Sequence, residues 1–135
     1  MNIDSIQNGI VIDHITAGKG LRIYSLLGLD QTDVSVAMIR NVHSSKMGKK
    51  DIIKIDADMD VNLDVIGYVD PGATVNIIRN GVLSEKRSIP APEFLKGVIR
   101  CKNPRCITST EQELPHVFRR WGNIYRCVCC ETKAE

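Results

Sequence analysis

The chain has 135 residues, of which 43% are hydrophobic and 25% charged, and its formal net charge is +2. This size and composition fit one ordinary globular domain, or one compact domain with a small satellite. No apolar run approaches the roughly 18 residues of a transmembrane helix, and the N-terminus lacks the basic and apolar regions of a secretory signal, so we expect a cytoplasmic protein without membrane contact.

The first part of the chain alternates between predicted strands and helices. Short β-branched runs predict strands, and apolar residues at helical spacing predict two helices between them. Strands are predicted at 8–15, 34–42, 51–56, 73–79 and 82–87, helices at 21–29 and 60–69, a polar loop at 43–50, and a type I′ turn at Asn80-Gly81. This order predicts an α+β fold with a ferredoxin-like split βαβ domain over residues 1–92, ending in a proline-containing linker.

The C-terminal part of the chain carries two close pairs of cysteines. Cys101 and Cys106 are separated by four residues, and Cys127 and Cys130 by two. Two such pairs separated by a longer loop are typical of a zinc site, in which each pair offers two sulfurs to one ion. We therefore predict one structural Zn²⁺ in a small zinc-ribbon-like β domain over residues 93–135. A disulfide framework is the alternative, but it suits a reducing cytosol poorly.

The other sulfur and imidazole groups are weaker candidates for chemistry. Cys129 is a fifth thiol, which can be reactive but is more simply explained as a thiol packed beside Cys130. His116 is the one substitute zinc ligand that we consider. Four cysteine ligands leave the ion no open position, so the site should hold structure rather than catalyse. Because the chain also lacks nucleophile-elbow, P-loop and H-E-x-x-H motifs, we predict that it is not an enzyme.

Several segments together resemble the regulatory chain of aspartate carbamoyltransferase. The likeness is carried by VIDHI at 11–15, MGKKDIIKI at 47–55, ATVN at 73–76, the segment 92–101, CKNPRCI at 101–107 and CVCCE at 127–131. The resemblance implies a regulatory subunit that forms dimers and docks its zinc domain on catalytic chains assembled as trimers. It also implies an N-terminal domain that binds nucleotides, with CTP and UTP as inhibitors and ATP as activator.

The same resemblance implies a set of nucleotide-binding residues. By position these are Val11, Asp13, His14, Lys54, Asn76, Ile78 and Lys86. Lysines at two of these positions suit a triphosphate, and Asn76 can offer both a donor and an acceptor to a base. Lys54 lies among isoleucines, where an anionic ligand or simple exposure to solvent would explain it. Asp13 and His14 are adjacent on a predicted strand, so we expect them on opposite faces.

A zinc-ribbon nucleic-acid-binding protein is the alternative function. Residues 96–135 carry 8 Lys/Arg and 4 Asp/Glu, a net of +4, whereas residues 1–95 carry 10 and 12, a net of −2. A basic module can meet nucleic acid or an acidic protein surface. Aromatic residues make up only 4% of the chain, which leaves few platforms for stacked bases. The basic residues of that module are Arg100, Lys102, Arg105, Arg119, Arg120 and Arg126.

Overall fold

The computed structural model describes residues 6–134, and the chain divides into two compact units that meet in sequence at Ala91 and Pro92. Residues 1–5 and 135, the outer ends of the two predicted domains, lie outside the described residues. Within the described part, no helix has both the length and the apolar character needed to cross a membrane.

The first unit is a five-stranded antiparallel sheet with two helices. Its elements are β1 (Gly9–Thr16), α1 (Gly20–Leu26), a short 3-10 helix (Leu29–Gln31), β2 (Val36–Ser44), β3 (Gly48–Ile55), α2 (Leu63–Val69), β4 (Thr74–Arg79) and β5 (Val82–Ser88). The strand order is β2-β3-β1-β4-β5. Because β3 lies between β1 and β2 and is antiparallel to both, β1 and β2 run in the same direction. The predicted split βαβ arrangement is therefore confirmed.

The predicted boundaries differ most from the structure at three places. The polar segment 43–50 is largely strand, because His43 pairs with Lys49 and the β2–β3 hairpin closes through a short turn before Gly48. Helix α1 ends at Leu26, and Gly28 then adopts a left-handed φ of 72°. Helix α2 begins at Leu63, after Asn62, whose side chain accepts a hydrogen bond from the backbone N–H of Asp64. Such a cap satisfies a donor that the first helical turn leaves unpaired.

One face of the sheet packs against the helices to form the core of the first unit. The core consists mainly of isoleucines, and the strand residues alternate so that every second side chain points inward. Burying each such side chain contributes about 1.5–3 kcal/mol. The fully buried members are Ile12, Ile15, Ile23, Ile53, Ile55 and Ile66. The opposite face of the sheet is therefore free to carry other chemistry.

The buried carboxylate of Asp51 ties three backbone segments together. It is fully buried and accepts hydrogen bonds from the N–H groups of Gly18 at 3.1 Å, Gly20 at 3.0 Å and Asn41 at 3.0 Å. A side chain at position 20 would place its Cβ 2.8 Å from Oδ2 of Asp51, so only glycine fits there. Asp51 therefore fixes the turn before α1 and the irregular middle of β2.

We expect Asp51→Ala to destabilise the first unit by about 3 kcal/mol, because each buried donor left without an acceptor costs about 1–3 kcal/mol. Denaturant unfolding monitored by circular dichroism measures the change. The matched control is Asp56→Ala, five residues along the chain, where the carboxylate is exposed. Equal stabilities for the two variants would contradict the anchoring role.

The second unit is a small three-stranded antiparallel sheet. Its elements are β6 (Phe94–Lys96), α3 (Ile107–Thr110), β7 (Val117–Trp121) and β8 (Ile124–Cys127), with strand order β6-β7-β8. Leu95, Phe118, Tyr125 and Cys127 are buried in it. So small a core supplies little stability by itself. The unit is the predicted zinc-ribbon-like β domain. A metal held by its cysteines would supply the stability that so small a core lacks.

Candidate metal centre and outer sheet face

Four cysteines converge from two turns of the second unit, one for each sequence pair. Cys101 follows β6, Cys106 precedes α3, Cys127 ends β8, and Cys130 lies in the turn beyond it. Glu131 follows with a left-handed φ of 63°, and its N–H donates to the carbonyl of Cys127. These tight turns bring the members of each sequence pair close together, as the cysteine spacing predicted.

The distances between the sulfurs fit a single tetrahedral ion. All four Sγ atoms lie within 4.8 Å of one another, with Cys101 and Cys130 at 3.5 Å and Cys106 and Cys127 at 3.7 Å. A tetrahedron with Zn–S bonds of about 2.3 Å has an edge of about 3.8 Å. The four thiols make a closed four-cysteine metal centre, and this donor set and geometry suit structural zinc.

The surroundings of the cysteines divide their thiols into two groups. Burial raises the pKa of the Cys101 thiol to about 12 and also raises the pKa of Cys127. A hydrogen bond with the Thr132 hydroxyl lowers the pKa of the Cys130 thiol to about 6, and one with the Thr108 hydroxyl lowers the pKa of Cys106. The surroundings therefore favour the thiolate form at Cys106 and Cys130 and oppose it at Cys101 and Cys127, where a bound cation would offset the cost of desolvation.

Neither of the other two candidate groups belongs to this centre. The Nδ1 atom of His116 accepts a hydrogen bond from the backbone N–H of Cys101 at 2.9 Å. The ring therefore supports the loop that carries Cys101, and it is not part of the sulfur cluster. Cys129 is exposed, and the cluster consists of the other four cysteines. His116 is therefore a positioning residue for a ligand-bearing loop.

Four of the predicted nucleotide-binding residues form one row across the outer face of the first sheet, the face opposite the isoleucine core. Val11 on β1 lies opposite Lys54 on β3 and opposite Asn76 on β4. Asn76 in turn lies opposite Lys86 on β5. Residues directly opposite each other in antiparallel strands share a face, so these side chains are neighbours. Ile78 lies two residues from Asn76 on β4 and therefore shares the same face.

Asp13 and His14 lie at a bulge in β1, so the regular alternation that would send them to opposite faces is interrupted. Between Ile12 and Ile15 the strand register against β3 shifts, and His14 has a left-handed φ of 57°. The extra residue lets Ile12 and Ile15 both enter the core. The His14 Nδ1 atom lies 3.2 Å from the Thr74 hydroxyl. The expectation of opposite faces was wrong because a bulge is not visible in local sequence.

Lys50 is a cation of this region that the sequence analysis missed. Its Nζ lies 3.0 Å from a carboxylate oxygen of Asp13, and both side chains are mostly buried, with exposures of 17% and 20%. Alternation along β3 places Lys50 on the same face as Lys54. Among residues 6–134, the outer face thus carries the three lysines Lys50, Lys54 and Lys86 around the carboxylate of Asp13. Its excess of positive charge suits an anion.

One buried atom of the outer face has an unused hydrogen-bonding capacity. The carbonyl oxygen Oδ1 of Asn76 is buried, and no donor among the described residues reaches it. An unsatisfied buried acceptor costs about 1–3 kcal/mol, and such groups in folded proteins call for a specific reason. A ligand that donates an N–H at this point would provide one.

These observations define a class of protein: an α+β unit with a cationic outer sheet face, joined to a β unit held by a structural metal–thiolate centre. Residues 1–90 match the family model of the aspartate carbamoyltransferase regulatory chain, allosteric domain, and residues 93–135 match the model of its metal binding domain. The chain therefore belongs to the aspartate carbamoyltransferase regulatory chain family. The regulatory chain is the non-catalytic subunit, so the prediction that this chain is not an enzyme is confirmed.

Curated relatives named aspartate carbamoyltransferase regulatory chain are similar to this chain over nearly their whole length. The regulatory chain of Clostridium tetani is 51% identical over 135 residues, covering 97% of this chain and 94% of the relative. That of Clostridium botulinum is 47% identical over 134 residues, covering 97% and 92%. That of Bifidobacterium longum is 42% identical over 138 residues, covering 100% and 99%. The likeness thus extends over both units.

Proposed function

We propose that this chain binds nucleotides on the outer face of its first sheet and transmits that binding to the catalytic chains of aspartate carbamoyltransferase. CTP and UTP act as inhibitors and ATP as activator, and the site lies within residues 1–92. The observation that carries the proposal is the row of Lys54, Val11, Asn76 and Lys86 with the unsatisfied Oδ1 of Asn76 at its centre. A cationic row beside a buried acceptor offers complementary groups to the phosphates and the base of a nucleotide.

The residue types favour particular parts of the ligand. Lysine ammonium groups are compact cations that suit phosphate oxygens, so we assign Lys54, Lys86 and Lys50 to the triphosphate. The carbonyl of Asn76 accepts an N–H, and the exocyclic amino group of cytosine or adenine supplies one. Asp13 and His14, held at the bulge, and the apolar side chains of Val11 and Ile78 complete the proposed site.

The regulatory effect requires two states of the assembled enzyme. A nucleotide shifts their populations only when it binds one state more tightly than the other. Typical coupling free energies of about 1–3 kcal/mol change an affinity roughly 5- to 150-fold. In this proposal residues 93–135 dock on catalytic trimers, the chain pairs with a second copy of itself, and the assembly resides in the cytoplasm, where thiolates stay reduced.

The nucleic-acid alternative has less support, because several arginines of the second unit already have partners there. The guanidinium of Arg119 lies 5.5 Å from the Trp121 ring centre and 5.8 Å from that of Phe94. Those of Arg120 and Arg126 donate to the backbone carbonyls of Gly122 and Glu131. Binding dominated by phosphate contacts would weaken steeply with added salt, which separates the two functions.

We expect Asn76→Leu to weaken CTP binding about 5-fold and to raise the free energy of unfolding by about 1 kcal/mol. CTP binding weakens because the variant removes the acceptor that the nucleotide would satisfy. Stability rises because the free protein no longer buries an unsatisfied oxygen. Calorimetric titration with CTP and denaturant unfolding measure the two effects. The control is Asn123→Leu, an exposed asparagine of the second unit. Unchanged CTP affinity in Asn76→Leu would remove Asn76 from the site.

A further inference from the structure

A polar pocket lies within the metal-binding unit, beside the cysteine centre. It has a volume of about 260 Å³ and opens to the surface between the segment after β6 and the segment before β7. Its walls are formed by Gly97, Val98, Ile99, Arg100, Gln112 and His116. Neither the metal centre nor the outer sheet face of the first unit includes these residues, so the pocket calls for its own explanation.

Hydrogen bonds fix the orientation of the histidine in this pocket. Nδ1 of His116 accepts from the N–H of Cys101 at 2.9 Å, and the carbonyl of His116 accepts from the N–H of Gly97 at 2.9 Å. With Nδ1 used as an acceptor, the neutral ring carries its proton on Nε2. Both the backbone and the ring are thereby held, and the ring keeps one N–H donor to offer.

The described residues that line the pocket include three with side-chain donors and none with a carboxylate. Arg100, Gln112 and His116 are its lining residues with polar side chains, and the half-buried Val98 and Ile99 are the apolar ones. An arginine pairs with a carboxylate through two parallel hydrogen bonds, which gives geometric specificity as well as attraction. The apolar side chains suit a short aliphatic stem.

We infer that this pocket binds a carboxylate on a short aliphatic stem, namely an Asp or Glu side chain of a partner protein. The net charge of +4 over residues 96–135 favours an acidic partner surface. The inference rests on the proposed function only for the identity of that partner, the catalytic chain. His116 also accepts a hydrogen bond from the backbone N–H of the metal ligand Cys101. A carboxylate bound to the His116 ring would therefore be linked through that ring to the loop that carries Cys101.

The chemistry of the pocket is tested with glutarate as probe and glutaramide as its neutral control. The metal-loaded full chain is titrated at constant pH and ionic strength, and the NMR signals of the His116 ring and the Arg100 guanidinium are followed. We expect saturable shifts with glutarate alone, and at least about 10-fold weaker binding in Arg100→Gln, because this variant loses hydrogen bonds from a charged group. Arg105→Gln, an exposed arginine outside the pocket, is the matched control and should bind normally.

Shifts that are absent, or equal with glutaramide, would overturn the carboxylate site, as would equal losses in the two arginine variants. The partner assignment is tested by association with the catalytic trimer, which Arg100→Gln should weaken about 10-fold and Arg105→Gln should not. Glutarate binding with unaltered association would assign the pocket to a free carboxylate and overturn the partner. Neither measurement involves nucleotides, so a failure of the proposed nucleotide response would be seen separately.

Discussion

Removal of the metal should unfold the second unit and release the chain from its catalytic partner, while the first unit stays folded. Apparent binding free energies of structural zinc, about 10–16 kcal/mol, match or exceed the stability of a typical domain. The four cysteine side chains are largely buried and their sulfurs lie close together, so removal of the cation takes away the interaction that holds the four sulfurs in one cluster. Chelator treatment followed by sedimentation and by Trp121 fluorescence measures both effects.

The serine variants of two cysteines provide the matched comparison. Cys106→Ser removes a ligand and should reproduce the effect of the chelator, whereas Cys129→Ser alters an exposed thiol outside the cluster and should retain one metal per chain. A chain that is free of metal by elemental analysis yet remains folded and bound to catalytic trimers would contradict the structural role of the ion.

Lys54→Ala should weaken CTP and ATP binding about 10- to 100-fold. The ammonium is assigned to the triphosphate, and hydrogen bonds to charged groups contribute about 1.5–3 kcal/mol each. Assembly with catalytic trimers should be unchanged, because Lys54 belongs to the first unit and the proposed docking surface to the second. Calorimetric titration gives the affinity, and sedimentation gives the assembly state.

The control for this variant is Lys49→Ala, which removes the same charge from an exposed position on the same strand. It should retain CTP affinity within about 2-fold, as expected of a solvated lysine. If the two variants lost affinity equally, the effect would be one of net charge, and Lys54 would have no specific place in the site.

The sequence predicted those features that depend on local pattern. The spacing of the cysteines indicated the metal centre because each pair lies within one tight turn, and Asn80 and Gly81 do adopt the positive φ values, 53° and 77°, that their turn requires. The element order predicted the sheet topology, because few connections other than the split βαβ unit fit two such β-α-β runs.

What the sequence did not predict depends on how the strands pair. The segment 43–50 is polar, yet it forms the end of the β2–β3 hairpin, where His43 pairs with Lys49 and Ser44 with Gly48. The bulge at Asp13 and His14 arises where β1 and β3 shift register, and no local signal marks it. Lys50 was missed for the same reason, since it was assigned to a loop and its contact with Asp13 lies across two strands. The buried Oδ1 of Asn76 likewise becomes visible only in three dimensions.

Reconstitution tests the central claim most directly. The claim is that nucleotides bound to this chain change the activity of the catalytic chains. Metal-loaded chain is mixed with the catalytic trimer of the same organism, and aspartate saturation is measured alone and with CTP, UTP or ATP. We predict that CTP raises and ATP lowers the aspartate concentration at half-saturation, each by roughly 5-fold or more, and that neither nucleotide affects the free trimer. Saturation curves of the assembled enzyme that coincide with and without every nucleotide would contradict the claim.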